Sequence, residues 1–345
     1  MAKEVVIQKI HNIRYMGNKE KLLEYIIPEL YNRTKAGGVV CDIMAGTNTV
    51  GYALNQNYKV ISNDVQYYSY VIGKALLCEA NINKNSFREE MEKYIKFNLE
   101  NMDYNFFYSN YSNTYFSKKQ CCEIDSIRYA IEKVKDSSSI YYNYLFALMI
   151  SMCMAQSTTG HFAQFLDKDH YRVKPLRKIS IIDTFYKICD EISDKIISRY
   201  KNKVYNLPYE KLLEKINNVN VATFYLDPPY THDQYSRFYH ILETVCKYDK
   251  PELNFKAKYR TDRFMSGFCY TDKVNNEFQK IIEYCFSKNS NLVISYSNKG
   301  VAQINDIVDI AQNYYKNIEL KEIAYKHSSQ GKGNINIKEM LISMS

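Results

Sequence analysis

Two spacings of apolar residues alternate along the chain. From Leu22 the positions Leu22, Leu23, Ile26, Ile27 and Leu30 recur at helical period and predict an amphipathic helix. The next apolar segment, Gly38-Val39-Val40-Cys41-Asp42-Ile43, is β-branched and continuous, as expected of a strand buried on both faces. It runs into a turn at Met44-Ala45-Gly46-Thr47 and then into a helix that carries Gly51. A second strand, Tyr58-Lys59-Val60-Ile61-Ser62, ends at Asn63-Asp64. Strand character then lapses from about residue 80 to 200, where helical runs predominate. It returns at Lys203-Val204-Tyr205-Asn206, at Val221 to Leu226 and at Asn291 to Tyr296, with a helix over Asn275–Phe286 between the last two. Two final β-rich runs, Ile318–Tyr325 and Ile335–Ser343, flank Gly331-Lys332-Gly333 and read as a closing hairpin. The pattern predicts an α/β fold with a Rossmann-like sheet. The sheet domain is formed by 1–79 and 201–345, and a mostly helical segment, 80–200, is inserted into it.

Composition narrows the partners. The chain has 345 residues, 46% apolar and 24% charged, and a formal net charge of +8 that suits a polyanion. Nine cysteines are scattered without ligand spacing, so neither a zinc site nor a disulfide framework is expected. The most apolar window, Tyr141–Ala155, is shorter than a bilayer span and reads as a buried helix, so no membrane association is expected. The charged start, Met1-Ala2-Lys3-Glu4, lacks the apolar core of a signal peptide, and with the scattered cysteines a reducing cytoplasm is the expected home.

Chemistry concentrates at the strand ends. Val221 to Leu226 delivers Asp227-Pro228-Pro229-Tyr230 to the rim of the sheet. Two prolines force a stiff turn there, placing an acid and an aromatic in one crevice. The Gly46 turn followed by Asp64, close to the roughly 20-residue spacing of nucleotide-binding units, suggests an adenosine-type cofactor, with Asp64 on the ribose. The glycine spacing departs from the dinucleotide fingerprint, so no pyrophosphate is expected. Upstream, Tyr15-Met16-Gly17-Asn18-Lys19 puts an aromatic, a glycine and a lysine at a helix start. Within the insertion, Tyr104–Phe116 reads as a polar aromatic patch and His170–Lys178 as a basic stretch fit for phosphate contacts. Thr231–Phe238 reads as a flexible polar loop able to close over substrate, with Lys258, Arg260 and Arg263 as a second basic patch.

In that order, ending with Ser295-Tyr296-Ser297 after a strand, these motifs resemble those of the Dam-like, alpha-group, adenine-specific DNA methyltransferases. The resemblance covers both flanks and puts the target-recognition domain at the insertion. It implies S-adenosyl-L-methionine as cofactor, held by Tyr15, Lys19, Asp42, Gly46, Asp64 and Asp227. It implies Asp227, Pro228, Pro229 and Tyr230 as the catalytic motif, and methylation of the exocyclic amine of an adenine flipped out of double-stranded DNA. A monomer is expected, and a cognate restriction endonuclease is a companion that such systems allow. Two departures stand out: Tyr15 where the family often has Trp, and Ile43-Met44-Ala45-Gly46-Thr47 in place of Phe-x-Gly-x-Gly. Methylation of RNA adenine, or a catalytically idle DNA-binding protein on the same fold, stays open at this level.

Overall fold

The computed structural model describes residues 13, 18–78, 88–135, 140–324 and 338–345. Its strands, in chain order, are β1 (Val39–Asp42), β2 (Lys59–Asn63), β3 (Lys203–Tyr205), β4 (Thr223–Leu226), β5 (Leu253–Asn254), β6 (Tyr259–Arg260), β7 (Asn291–Ser297), β8 (Ile318–Ala324) and β9 (Lys338–Met344). Seven form one sheet in the order β3-β2-β1-β4-β7-β9-β8, while β5 and β6 make a separate ribbon. The strands from β3 to β7 pair in parallel, and β9 runs antiparallel to both its neighbours. This is the α/β, Rossmann-like sheet that the apolar pattern predicts. The two C-terminal runs pair as expected, and the tip between them, Gly331-Lys332-Gly333, lies outside the described residues.

The chain packs as two compact units. The sheet unit comprises 19–70, 198–236 and 264–345; the helical unit is built from 71–197 and 237–263. In the sheet unit, Phe224, Leu226, Leu292 and Ile294 alternate onto one face and join a core with Phe278, Ile281, Ile282 and Cys285 of the helix Val274–Ser287. Each such large side chain contributes roughly 1.5–3 kcal/mol by leaving water. The helix Leu23–Arg33 buries Leu23, Ile26, Ile27 and Leu30, the stripe its period predicts.

The helical unit corrects two readings of the sequence and bears out a third. The aromatic stretch 104–116 supplies core: Phe107, Tyr111, Tyr115 and Phe116 are fully buried. The Tyr115 hydroxyl lies 2.8 Å from the carbonyl oxygen of Phe162 and 2.9 Å from that of Ala257, so its one proton finds an acceptor away from water. Arg260 is also buried. Its guanidinium is held by Asp249 (2.7 Å, two bonds) and Asp262 (2.9 and 2.8 Å). With both carboxylates in place it has no fork left for a phosphate, which removes it from the expected basic patch. The apolar window is the helix Tyr141–Ala155, buried on most of its circumference. Among the described residues, no helix is long and apolar enough to cross a membrane.

His240 opens the helix His240–Lys247 with no exposed surface, its Nε2 3.0 Å from the Phe162 carbonyl. Burial pushes its pKa down to about 3, with Arg263 and Arg260 adding to the effect. The folded state therefore refuses a proton that the unfolded chain accepts near 6.5. Stability from this site is complete above that value and lost as pH falls toward 3, amounting to about 3 kcal/mol at pH 4. His240→Gln keeps a neutral donor toward Phe162. Denaturation curves between pH 7 and 4 are expected to show wild type losing ground to this variant; a constant gap would refute the assignment.

Candidate functional site

Strand order decides where the site lies. β1 stands between β2 and β4, so the chain leaves β1 toward one side of the sheet and later builds outward on the other. The crevice beyond the carboxyl ends of such strands is where α/β sheets bind ligands. Three acids reach that edge: Asp42 ends β1, Asp64 follows β2 and Asp227 follows β4. In register, Asp42 lies beside Ser62 on one flank and Tyr225 on the other.

The turn after β1 is built by backbone contacts. Ile43 N donates to Tyr225 O at 3.0 Å and Ala45 N to Asn63 O at 2.8 Å, tying the turn to both neighbouring strands. Gly46 (φ 49°) and Asn48 (φ 56°) both occupy the left-handed region, which glycine and asparagine adopt most readily. Gly46 N donates to Asp64 Oδ2 at 2.9 Å, and Gln66 N donates to Asp64 Oδ1 at 2.8 Å. Ser69 Oγ donates to Gly46 O at 2.5 Å. Asp42 is buried, and its Oδ1 has no hydrogen-bond partner among the described residues. Burial, and then the charges of Asp227 and Asp64, push its carboxyl well above the usual range.

Asp227 leads into the double proline with one-fifth of its side chain exposed. Lys19, just before the helical turn Glu20–Leu22, places Nζ 2.9 Å from Asp227 Oδ1 and 2.9 Å from Glu339 Oε1. One ammonium, with three donors, thus lies within hydrogen-bond reach of both carboxylates. Ser295 Oγ donates to the same Glu339 oxygen at 2.5 Å. Burial pushes Asp227 up to about 7, with Lys19 opposing and Glu339 adding to the rise. Burial works against the Lys19 charge, but the two carboxylates outweigh it and hold its pKa well above the ordinary value.

Tyr230 closes the arrangement. Its ring lies 5.5 Å from Lys19 Nζ and meets Tyr296 edge-on at 6.3 Å, and Tyr296 meets Phe278 in the same way at 5.2 Å. Val301 N donates to Tyr230 O at 3.1 Å, so the loop after β7 fixes the Asp-Pro-Pro-Tyr turn. A Cβ on Gly300 would stand 2.3 Å from the Tyr296 ring, so only glycine fits that loop without displacing the aromatic. Residues 231–236 are stitched to 264–269. Ser266 N donates to Gln234 Oε1 at 2.8 Å, and Ser236 Oγ to Phe264 O at 2.7 Å. The free loop expected there is thus replaced by a pinned one, ending in the short helix Tyr235–Phe238.

A family model, the D12 class N6 adenine-specific DNA methyltransferases, matches residues 15–310. The chain belongs to that family. Among curated proteins, this D12-class chain is 30% identical to the modification methylase LlaI of Lactococcus lactis subsp. lactis, over 88% of this chain and 49% of that one. It is 28% identical to the type II methyltransferase M.FokI of Planomicrobium okeanokoites, over 88% and 47%. It is 26% identical to the type II methyltransferase M.NlaIII of Neisseria lactamica, over 88% and 89%. The chain thus spans about half the length of the first two relatives and most of the third.

The D12-class fold brings Lys19, Asp42, Gly46, Asp64, Asp227, Pro228, Pro229 and Tyr230 to one edge of one sheet unit. Tyr15 lies outside the described residues. Glu339 and the individual role of Ser295 are not legible in the sequence motifs. The available signal is one acid immediately before the apolar run Met340-Leu341-Ile342 of β9, where a buried charge has to find a partner.

Proposed function

We propose that this chain transfers a methyl group from S-adenosyl-L-methionine to the exocyclic amine of an adenine in double-stranded DNA. The observation that carries the reading is the meeting of Asp42, Asp64 and Asp227 at the switch point, with Lys19 and Tyr230 around the Asp-Pro-Pro-Tyr turn. Such a site suits this cofactor. Its acids outnumber its cations, as a ligand bearing a sulfonium and an ammonium requires. Asp42 Oδ1 is a buried acceptor still lacking a donor. The left-handed Gly46 turn leaves backbone open to approach beside Asp64, whose carboxylate is anchored for a ribose hydroxyl.

When bound, the cofactor supplies an electrophilic methyl group on sulfur. The protein's task is to make a poor nucleophile available, because the adenine amine delocalises its lone pair into the ring. Asp227 and the Pro228 carbonyl accept the two N–H bonds, draw the nitrogen toward tetrahedral geometry and direct its lone pair. Tyr230 stacks on the ring, returning roughly 1–3 kcal/mol of the cost of extruding the base. The inserted segment, 80–200, reads the target. Its exposed knuckle carries Tyr171, 74% exposed, bonded through its hydroxyl to Arg172 at 2.9 Å, with Lys174 and Lys178 nearby in sequence. These side chains give salt-sensitive phosphate contacts. The enzyme works as a monomer, and a cognate endonuclease completes a restriction-modification pair.

Expression in a host without adenine methylation, followed by modification-sensitive sequencing of its DNA, is expected to show N6-methyladenine within one short sequence. Unmodified DNA with methylated RNA, or no methylation from folded protein, would reject the reading.

A further inference from the structure

We infer that Asn48 is a positioning residue for the cofactor: its buried amide holds the Gly46 turn in the shape that S-adenosyl-L-methionine has to meet. The inference rests on the function proposed above. Asn48 follows Gly46 by two positions, and its backbone is left-handed at φ 56°. It stands just before the helix Thr49–Leu54, where an asparagine side chain ordinarily turns to cap the first N–H groups. Among the described residues it makes no such cap bond. Its side chain is 1% exposed and bonds three other groups. Ser62 Oγ on β2 donates to Asn48 Oδ1 at 2.5 Å, and Asn48 Nδ2 donates to Ser69 O at 3.0 Å and to Gly46 O at 3.4 Å. Both carbonyls can only accept, so a single orientation of the amide satisfies all three contacts.

One side chain thereby joins the turn after β1 to the end of β2 and to Ser69 beyond it. Gly46 is held on both sides by the same knot. Its N–H goes to Asp64 Oδ2 at 2.9 Å, and its carbonyl takes Ser69 Oγ at 2.5 Å as well as the Asn48 amide. Gly46 thus orients the carboxylate proposed for the ribose, and Asn48 in turn steadies Gly46. The backbone of Asn48 is itself tied back, its N–H donating to Ala45 O at 2.7 Å. A glycine at 48 adopts that left-handed backbone without strain, so the turn would keep its course while losing the amide's three contacts. A ligand would then have to order the turn on binding, and affinity would fall by that ordering cost.

Asn48→Gly is therefore the test. Calorimetry with S-adenosyl-L-homocysteine is expected to show about ten-fold weaker binding, with affinity for duplex DNA within about two-fold of wild type. Ser62→Ala removes one of the three contacts. It is expected to weaken the same binding about three-fold in wild type and to add nothing in the Asn48→Gly background. A buried asparagine of the helical unit separates positioning from general loosening. Asn98 Nδ2 donates to Tyr104 O and Ser126 Oγ at 3.0 Å each, and Asn98→Ala is expected to lower stability while leaving S-adenosyl-L-homocysteine affinity as it is. Unchanged cofactor-analogue binding in folded Asn48→Gly, an equal loss of DNA affinity, or a further loss on adding Ser62→Ala would overturn the inference. So would weakened analogue binding in Asn98→Ala. Should Asn48→Gly fail to fold, Ser62→Ala carries the test, and wild-type affinity in that variant overturns the inference equally. A wild-type protein that binds no S-adenosyl-L-homocysteine would instead strike the functional reading itself.

Discussion

Asp227→Ala is expected to lower methyl transfer by about 10³-fold or more while leaving the protein at least as stable as wild type. The two effects have one cause. Asp227 sits where burial and Glu339 push its carboxyl up from 3.8 to about 7. The folded state therefore binds a proton more tightly than the unfolded chain does, and stability falls as pH rises between those values. Above about pH 7 the full penalty is present; below about pH 4 it is absent. Removing the carboxyl removes the penalty and leaves Lys19 paired with Glu339. Denaturation at pH 8 should show a gain on the order of 1–3 kcal/mol, shrinking to nothing toward pH 4. Methyl transfer followed with labelled cofactor should meanwhile vanish. Retained activity would sink the assignment of Asp227 as acceptor. A large stability loss at pH 8 would show that the carboxylate is structural.

Such a site, strained by its own burial, is legible in sequence only in part. Strand ends are legible because parallel strands buried on both faces read as continuous apolar runs, and Asp42, Asp64 and Asp227 each stand just where such a run stops. The Gly46 turn is legible because few residues tolerate its backbone. The Lys19–Glu339 bond is different: its partners are 320 positions apart, and no local period links them. A single acid in β9 looks like an edge-strand charge until strand order puts β9 beside β7. Arg260 misleads for a related reason. Charge counting treats it as free, yet the fold returns Asp249 and Asp262 to it. The aromatics of 104–116 are equally ambiguous, because Tyr is at home on a wet surface or in a core. Which applies depends on whether carbonyls such as those of Phe162 and Ala257 come within reach of its hydroxyl.

The same three-charge cluster gives the largest stability effect. Lys19→Met leaves Asp227 and Glu339 facing each other with their shared counter-ion gone. Breaking a buried pair from one side strands the other charge, at about 3–5 kcal/mol. Here two carboxylates are stranded, so the loss belongs at the upper end at pH 8. It should shrink as pH falls, because a carboxyl that takes up a proton no longer needs the lysine. In wild type, the raised Lys19 value means that its contribution is complete below 10.5 and is lost only as pH climbs through the still higher folded-state value. Chemical denaturation at pH 6 and pH 8 measures this directly, and a variant within about 1 kcal/mol of wild type at pH 8 would show that the cluster is not held by the lysine. Combining Lys19→Met with Glu339→Gln removes one cation and one anion together. Most of the lost stability should return, but methyl transfer should not, because Asp227 would remain in place without the cation that keeps it ionised. Recovery of stability without recovery of rate separates the two roles of Lys19, holding β9 to the start of the sheet unit and sustaining the charge of the acceptor.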